Sequence, residues 1–470
     1  MSSIVVMLIF ALAAYFTWTR GIAFAFAWVY LPVLFLLSAT KSISLPMLPD
    51  MTSQFAVGYG VIAGLVLKGG ERLTIRWNML DTVIVALWVV NAISSGATGG
   101  MELARNAIGD GFFDFLTPYF LARIAFQSAE GRRAAFWSVT VCAGLIALMS
   151  PSEMRLWPQF WSRQLDALVL FTPANSMPLY RFGLARAQTT FWQPMDQGNS
   201  GLLMLGMIGL FACTTALGWR NWRTITALGV AGFVAVASLS FSAFLNIAIA
   251  AGLFFALRAL PDLGRVLAVF VVVGILGGVA VTNHLLSAPL AERGENFGQT
   301  VNDSVHMRTR IVQEGWPVAM DAGWVGFGKE GVERELSSRS PDKNYVKSID
   351  NAYLLMIMQK GWPYFLLFMT IPFIVAFRTS AAFARAPAEM QRLPVIFVVA
   401  VLFAIFIAMY TIFFGFVYAR LLIVMLGLFA SLTDVLTGRV MLESERRVET
   451  ISTGYVRQPA GAFPAMAGRS

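Results

Sequence analysis

Apolar stretches of about 20 residues recur along nearly the whole chain, the length a helix needs to cross the hydrocarbon core of a bilayer. Of the 470 residues, 57% are hydrophobic and 13% charged. Soluble domains carry about 25% charged residues, so a soluble globular fold is excluded. In lipid only helices and closed barrels satisfy every backbone hydrogen bond. The runs are continuous rather than alternating, which excludes the barrel and leaves an all-α polytopic membrane protein of about 12–13 transmembrane helices. The spans fall at about 3–19, 22–38, 53–68, 79–97, 107–126, 134–150, 199–217, 223–240, 242–258, 264–283, 352–377, 394–412 and 414–433. Met1 to Trp18 lacks the basic start and cleavage site of a secretory signal and reads as a first membrane segment. Cys142 and Cys213 lie inside apolar runs, where neither a structural disulfide nor a metal site is expected.

The formal net charge of +9 does not call for nucleic acid, because cytoplasmic loops of membrane proteins are rich in Lys and Arg. The short loops 68–76, 130–133, 219–223, 256–265 and 383–392 and the tail after Gly438 are basic and fall on one side. That side is read as cytoplasmic. Residues 1–438 form one membrane domain, and 439–470, rich in Gly, Pro, Ser and mixed charge, read as a disordered cytoplasmic tail. Two long loops, 151–198 and 284–350, then lie outside. Their charges include Arg155, Arg163, Arg181, Arg186, Arg293, Arg308, Arg310, Arg334 and Arg339, with acids among them in the second loop. Mixed charge of this kind also describes an ordinary solvated surface.

The longest polar segment, between Val301 and Trp362, holds His306, the close pair Arg308 and Arg310, the glycines Gly326, Gly328 and Gly331, and Asp350-Asn351 at a helix start. In the first loop, residues 180–203 run from Arg181 and Arg186 through aromatic residues and Pro194 into a Gly-Asn-Ser helix start. A helix N-terminus adds partial positive charge to a nearby arginine, while Asn199 or Ser200 is the expected helix cap. Within the membrane, Asp81 reads as interfacial, and Asp114 and Arg123 as a structural pair. Asp110 and Asp114 are also candidate functional charges. For Asp350, capping and chemistry are equally open; for Tyr353, interfacial packing competes with a substrate role.

Taken together these motifs resemble the O-antigen ligase/O-antigen polymerase superfamily of bacterial envelope glycan assembly. The family's Arg followed by an aromatic-Pro-Gly helix start is matched by Arg186, Phe191, Pro194 and Gly198. Its second Arg, opening an amphipathic helix that ends in a G-x-G turn, is matched by Arg308, Gly326 and Gly328. Its His-Asn pair before N-x-Y-L becomes Asp350-Asn351-Ala352-Tyr353-Leu354, followed by Gly361. The Ser-Arg-Gly turn between two middle spans becomes Ser238-Leu239-Ser240-Phe241-Ser242. The resemblance covers about 180–430.

The resemblance implies a GT-C-like, metal-independent glycosyltransferase, with no cofactor. It would move a glycan from a polyprenyl-pyrophosphate carrier to a sugar hydroxyl at the periplasmic face of the inner membrane, with the C-terminus cytoplasmic. Arg186, Arg308 and Asp350 would be catalytic, the arginines meeting pyrophosphate charge and the aspartate taking a proton. Arg181, Arg310, His306, Asn351 and Tyr353 would line the substrate. Asp350 in place of the ligases' histidine favours a polymerase of O-antigen or exopolysaccharide repeat units. An O-antigen ligase, a protein O-oligosaccharyltransferase and, from another class, a lipid-linked glycan flippase are the alternatives. The donor, a glycan acceptor, the bilayer, and chain-length and export proteins are the expected partners, and nucleic acid is not.

Overall fold

A computed structural model describes residues 2–37, 42–43, 49–69, 75–167, 180–181, 183–191, 193–215, 217–259, 314–339, 351–385, 389–410 and 416–437. The described chain is helical apart from two short antiparallel ribbons, β1 (Ser42–Ile43) with β2 (Met51–Thr52), and β3 (Tyr180–Arg181) with β4 (Leu184–Ala185). The expected span 264–283 and the tail after Gly438 lie outside the described residues.

The helices are α1 (Ser2–Arg20), α2 (Ile22–Leu36), α3 (Ser53–Leu67), α4 (Met79–Gln127), α5 (Ala129–Leu156), α6 (Phe160–Ala167), α7 (Pro194–Cys213), α8 (Trp222–Ala237) and α9 (Phe241–Ala259). They continue as α10 (Gly328–Arg339), α11 (Ala352–Lys360), α12 (Trp362–Arg385), α13 (Glu389–Ala408) and α14 (Phe416–Leu436). Six of the described helices are long and apolar enough to cross a membrane, and four shorter ones are apolar. Leu8, Leu12, Val66, Leu148, Phe255 and Phe377 stand exposed on their outer faces. Water would penalise so much apolar surface, whereas lipid covers it. This is a multi-pass membrane protein.

The spans expected at 79–97 and 107–126 are two antiparallel limbs of α4, folded at Gly99 and Gly100, where the backbone leaves the helical region. Trp88 donates to the Ile108 carbonyl between the limbs (2.8 Å). The end of the bundle holding this fold is called upper below. The central helix is α7, which packs against α5, α8, α9, α13 and α14 and buries nearly every residue.

The lower end is tied by ions. Arg123 donates to Asp81, and its second arm reaches Asp434 (2.5 Å) and the Arg76 carbonyl (3.1 Å). Arg378 donates to the other Asp434 oxygen (2.6 Å), and Tyr119 to Asp81 (2.7 Å). Asp81 also closes a capping box with Asn78 at the start of α4. The expected Asp114–Arg123 pair is therefore not formed, because Asp114 meets Arg420 on α14 instead. Asp81, in the first turn of α4, is fully buried within the bundle. Two arginines and two aspartates cancel in charge, which makes their burial tolerable. Arg123→Met, which strands Asp81 and Asp434, is expected to cost roughly 3–5 kcal/mol. Thermal unfolding in detergent should show the loss, and an unchanged midpoint would reduce the network to a neutral one.

The expected span 352–377 is two helices. Gly361 sits between them at φ +83°, a conformation that L side chains resist, and a Cβ there would lie 2.4 Å from the Trp324 carbonyl. Pro363 follows, well placed in the first turn of α12.

Candidate active site

The loop from β3 to α7 is fixed to the upper end by a buried acid. Glu153, at the end of α5 and 1% exposed, accepts from the backbone N–H groups of Gln188 (3.1 Å) and Thr189 (2.8 Å), and of Trp161 (3.2 Å). Thr190 donates to the Phe35 carbonyl on α2 (2.8 Å), and Thr189 to the Gln197 side chain in α7 (3.1 Å). Gln197 in turn donates to Ser150 and to the Val234 carbonyl, each at 3.2 Å. A loop with this many fixed points holds its side chains in place.

Two of those side chains are the arginines read from the sequence. Arg181 donates to the Leu239 carbonyl (2.9 Å) and Arg186 to the Ser238 carbonyl (3.3 Å). Both grip the turn between α8 and α9, where Leu239 holds the unusual φ of +46°. Among the described residues no carboxylate pairs with either one. Burial, and next the charge of Arg181, pull the Arg186 pKa from 12.5 down to about 10, and burial lowers Arg181 as well. At about 10, Arg186 remains cationic at neutral pH. The structure thus holds two neighbouring, half-buried guanidinium groups, without a counter-ion among the described residues, ahead of the central helix.

The helix start itself differs from the sequence reading. The N-cap is Gln193, without a side-chain bond, and Pro194 opens the helix. Asn199 and Ser200 are not caps but lie in the second turn. Asn199 accepts from Asn246 on α9 (2.8 Å), and the Ser200 hydroxyl is buried without a partner. Asp196, in the first turn and ahead of the apolar part of the helix, was passed over in the sequence. Burial raises its carboxyl to about 7, against a smaller opposing effect of the bond with Gln193. Such a group exchanges protons near neutrality. Glu153 was also missed, although an acid at the end of an apolar run was the signal for it.

At the other motif, Asn351 is the N-cap of α11, accepting from the Leu354 N–H (3.0 Å). The cap is therefore not Asp350, which lies outside the described residues, as do His306, Arg308 and Arg310. Ala352 donates to the Met409 carbonyl (2.9 Å), which fixes the start of α11 against the end of α13. Tyr353 is buried between Phe365 and Phe368, and its hydroxyl donates to the Phe406 carbonyl. Its ring and hydroxyl are engaged in packing. The G-x-G turn docks where α11 meets α12. Phe327 N–H donates to the Met358 carbonyl (2.7 Å), and Ser94 on α4 to the Val325 carbonyl (2.7 Å). A Cβ on Gly326 (φ +72°) would lie 2.5 Å from the Gln359 backbone.

The O-antigen ligase family model matches residues 225–369. Over that stretch the chain is similar to the O-antigen ligase/polymerase superfamily, which supports the resemblance read from its motifs. No curated protein matches it in sequence. The O-antigen ligase match runs from α8 into the first turns of α12, so it contains the α8–α9 turn, Arg308, the G-x-G turn, Asp350 and Asn351. Arg181, Arg186 and Asp196 lie outside it, and the two arginines are joined to it by their bonds to Leu239 and Ser238.

Proposed function

We propose that the protein is a glycan polymerase, moving an oligosaccharide from a polyprenyl-pyrophosphate carrier onto a sugar hydroxyl at the periplasmic face of the inner membrane. The observation that carries this reading is the Arg181–Arg186 pair. Two fixed guanidinium groups with no carboxylate partner among the described residues suit a pyrophosphate, which they meet with charge-assisted, forked hydrogen bonds. In the reaction the acceptor hydroxyl oxygen attacks the anomeric carbon of the donor. The bond from that carbon to the phosphate oxygen breaks, and the pyrophosphate leaves with the electron pair. Arg186 and Arg308, assisted by Arg181 and Arg310, stabilise the charge gathering on the leaving group. Asp350 accepts the hydroxyl proton. Asn351 and Tyr353 hold α11 so that Asp350 stands at its start, and His306 lies close in sequence to Arg308. An aspartate in place of the ligases' histidine supports polymerase over ligase.

Deletion of the gene and analysis of the surface polysaccharide tests the reading. A polymerase leaves single repeat units attached to the surface. Loss of all attached glycan would indicate a ligase, and units retained inside the cell a flippase. Sidedness has its own test at two exposed positions, Gln164 on α6 and Ser338 on α10. Cysteines placed there are expected to react with a membrane-impermeant maleimide in intact spheroplasts. Labelling only after lysis puts the upper end in the cytoplasm and overturns the mechanism.

A further inference from the structure

Below the loop that carries Arg186 lies a second polar cluster, opposite in charge character. Arg420 on α14 is 5% exposed and donates through Nε and Nη2 to one Asp114 oxygen, each at 2.6 Å, while its guanidinium lies 5.7 Å from the centre of the Phe55 ring. Its Nη1 is buried with no partner. Tyr30 on α2, 2% exposed, lies within electrostatic reach of Arg420 and Asp114, and its hydroxyl has no partner either. Gln54, the residue before Phe55, is 3% exposed and leaves both amide atoms unmet.

Two helices, α2 and α14, therefore bring unsatisfied, buried hydrogen-bonding groups within electrostatic reach of one another, and α3 carries a third beside Phe55. Each such group costs about 1–3 kcal/mol, and a protein in lipid has no surrounding water to relieve it. Folding alone gives no reason to keep all of them, whereas a bound molecule does. The charges say what kind. Asp114 neutralises Arg420, and Asp110 lies within electrostatic reach of both. Among the described residues Asp110 leaves the surplus acidic, so a phosphate is repelled. The orphan atoms include donors and acceptors together: a guanidinium N–H, a phenol, and both ends of an amide. Sugar hydroxyls, which are neutral and do both, are the complement.

The two sites are mechanically joined. Thr190, four residues after Arg186, is bonded to the Phe35 carbonyl, and Tyr30 lies five residues back along α2, about 7.5 Å of helix rise. We propose that Tyr30, Gln54 and Arg420, with Asp110 beside them, form a subsite for the acceptor glycan. The arginine pair above it takes the donor's pyrophosphate, so this inference rests on the transferase reading.

The experiment uses the full chain in lipid nanodiscs. The neutral probes are maltotriose, cellotriose and a mannotriose, followed by saturation-transfer NMR, and the charged probe is inorganic pyrophosphate. Tyr30→Phe removes only an oxygen without a protein partner, so a purely structural role predicts an unchanged or higher melting temperature and no effect on ligands. The subsite predicts that at least one trisaccharide binds the native chain and binds Tyr30→Phe roughly threefold to tenfold more weakly. It predicts the same trisaccharide affinity in Arg186→Ala, and undiminished pyrophosphate binding in Tyr30→Phe. Gln54→Leu, which removes two more orphan atoms, repeats the comparison if Tyr30→Phe fails to accumulate. The proposal is overturned if no trisaccharide binds saturably, if these variants leave trisaccharide binding unchanged, or if Tyr30→Phe weakens pyrophosphate instead. Absence of pyrophosphate binding to the native chain would sink the donor reading alone, since the trisaccharide arm is scored independently.

Discussion

Arg186→Ala is expected to slow glycan transfer by roughly 10²–10³-fold, the usual cost of removing one fixed donor to developing charge. The protein should still insert and fold. Arg186 bonds the Ser238 carbonyl at 3.3 Å, while the loop around it is held separately by Glu153, Thr189 and Thr190. Losing a half-buried cation that has another cation beside it also relieves repulsion, so the melting temperature should not fall. Lysine is expected to restore little. Its single ammonium keeps the charge, but it has no planar fork with which to reach a carbonyl and a phosphate together. The assay is polymer made by membranes supplied with the lipid-linked repeat unit, at matched protein levels. Normal polymer from Arg186→Ala would return this residue to the solvated loop charges.

How far the sequence led can be judged from particular residues. The apolar runs marked most of the described helices closely, because lipid demands both length and continuity, and each is visible in a linear string. The break at Gly361 was missed, although Lys360-Gly361-Trp362-Pro363 carries a helix stop and a helix start. The apolar composition on both sides hid it. The ion network was not legible. Arg123 chooses Asp81 and Asp434, the latter 311 residues away, rather than Asp114 nine positions before it. On α4 the side chains of Asp114 and Arg123 belong to different ends of the bundle, and only the packing of α14 against that limb brings Asp434 and Arg420 to them. At the candidate site, sequence singled out Arg181 and Arg186 by residue type and order. That neither meets a carboxylate among the described residues, and that both hold the α8–α9 turn, are properties of packing. Orphan atoms such as the Tyr30 hydroxyl have no sequence signature at all, because satisfaction depends on neighbours from other helices.

The largest effect is expected at Asp350. A positioned proton acceptor contributes typically 10²–10⁴-fold, so Asp350→Asn should lose activity in that range. From sequence the test is confounded, because an aspartate before a helix is also a good cap. The structure separates the two roles. Asn351 makes the cap bond to Leu354, so Asp350→Asn and Asp350→Ser leave it in place and alter the chemistry alone. The matching control is Asn351→Ala, which removes the cap and should cost about 0.5–2 kcal/mol of stability. Asn351 is buried, and its neighbour Ala352 is bonded to Met409, so that loss should appear as a lower melting temperature as well as lower activity. Asp350→His, which brings in the residue expected in the ligases, should keep part of the activity, since imidazole also accepts a proton near neutrality. An inactive but stable Asp350→Asn, beside a destabilised Asn351→Ala, assigns the proton to Asp350. Full activity in Asp350→Asn and Asp350→Ser moves the search to Asp196, whose carboxyl titrates at about 7 at the start of the central helix, and to His306.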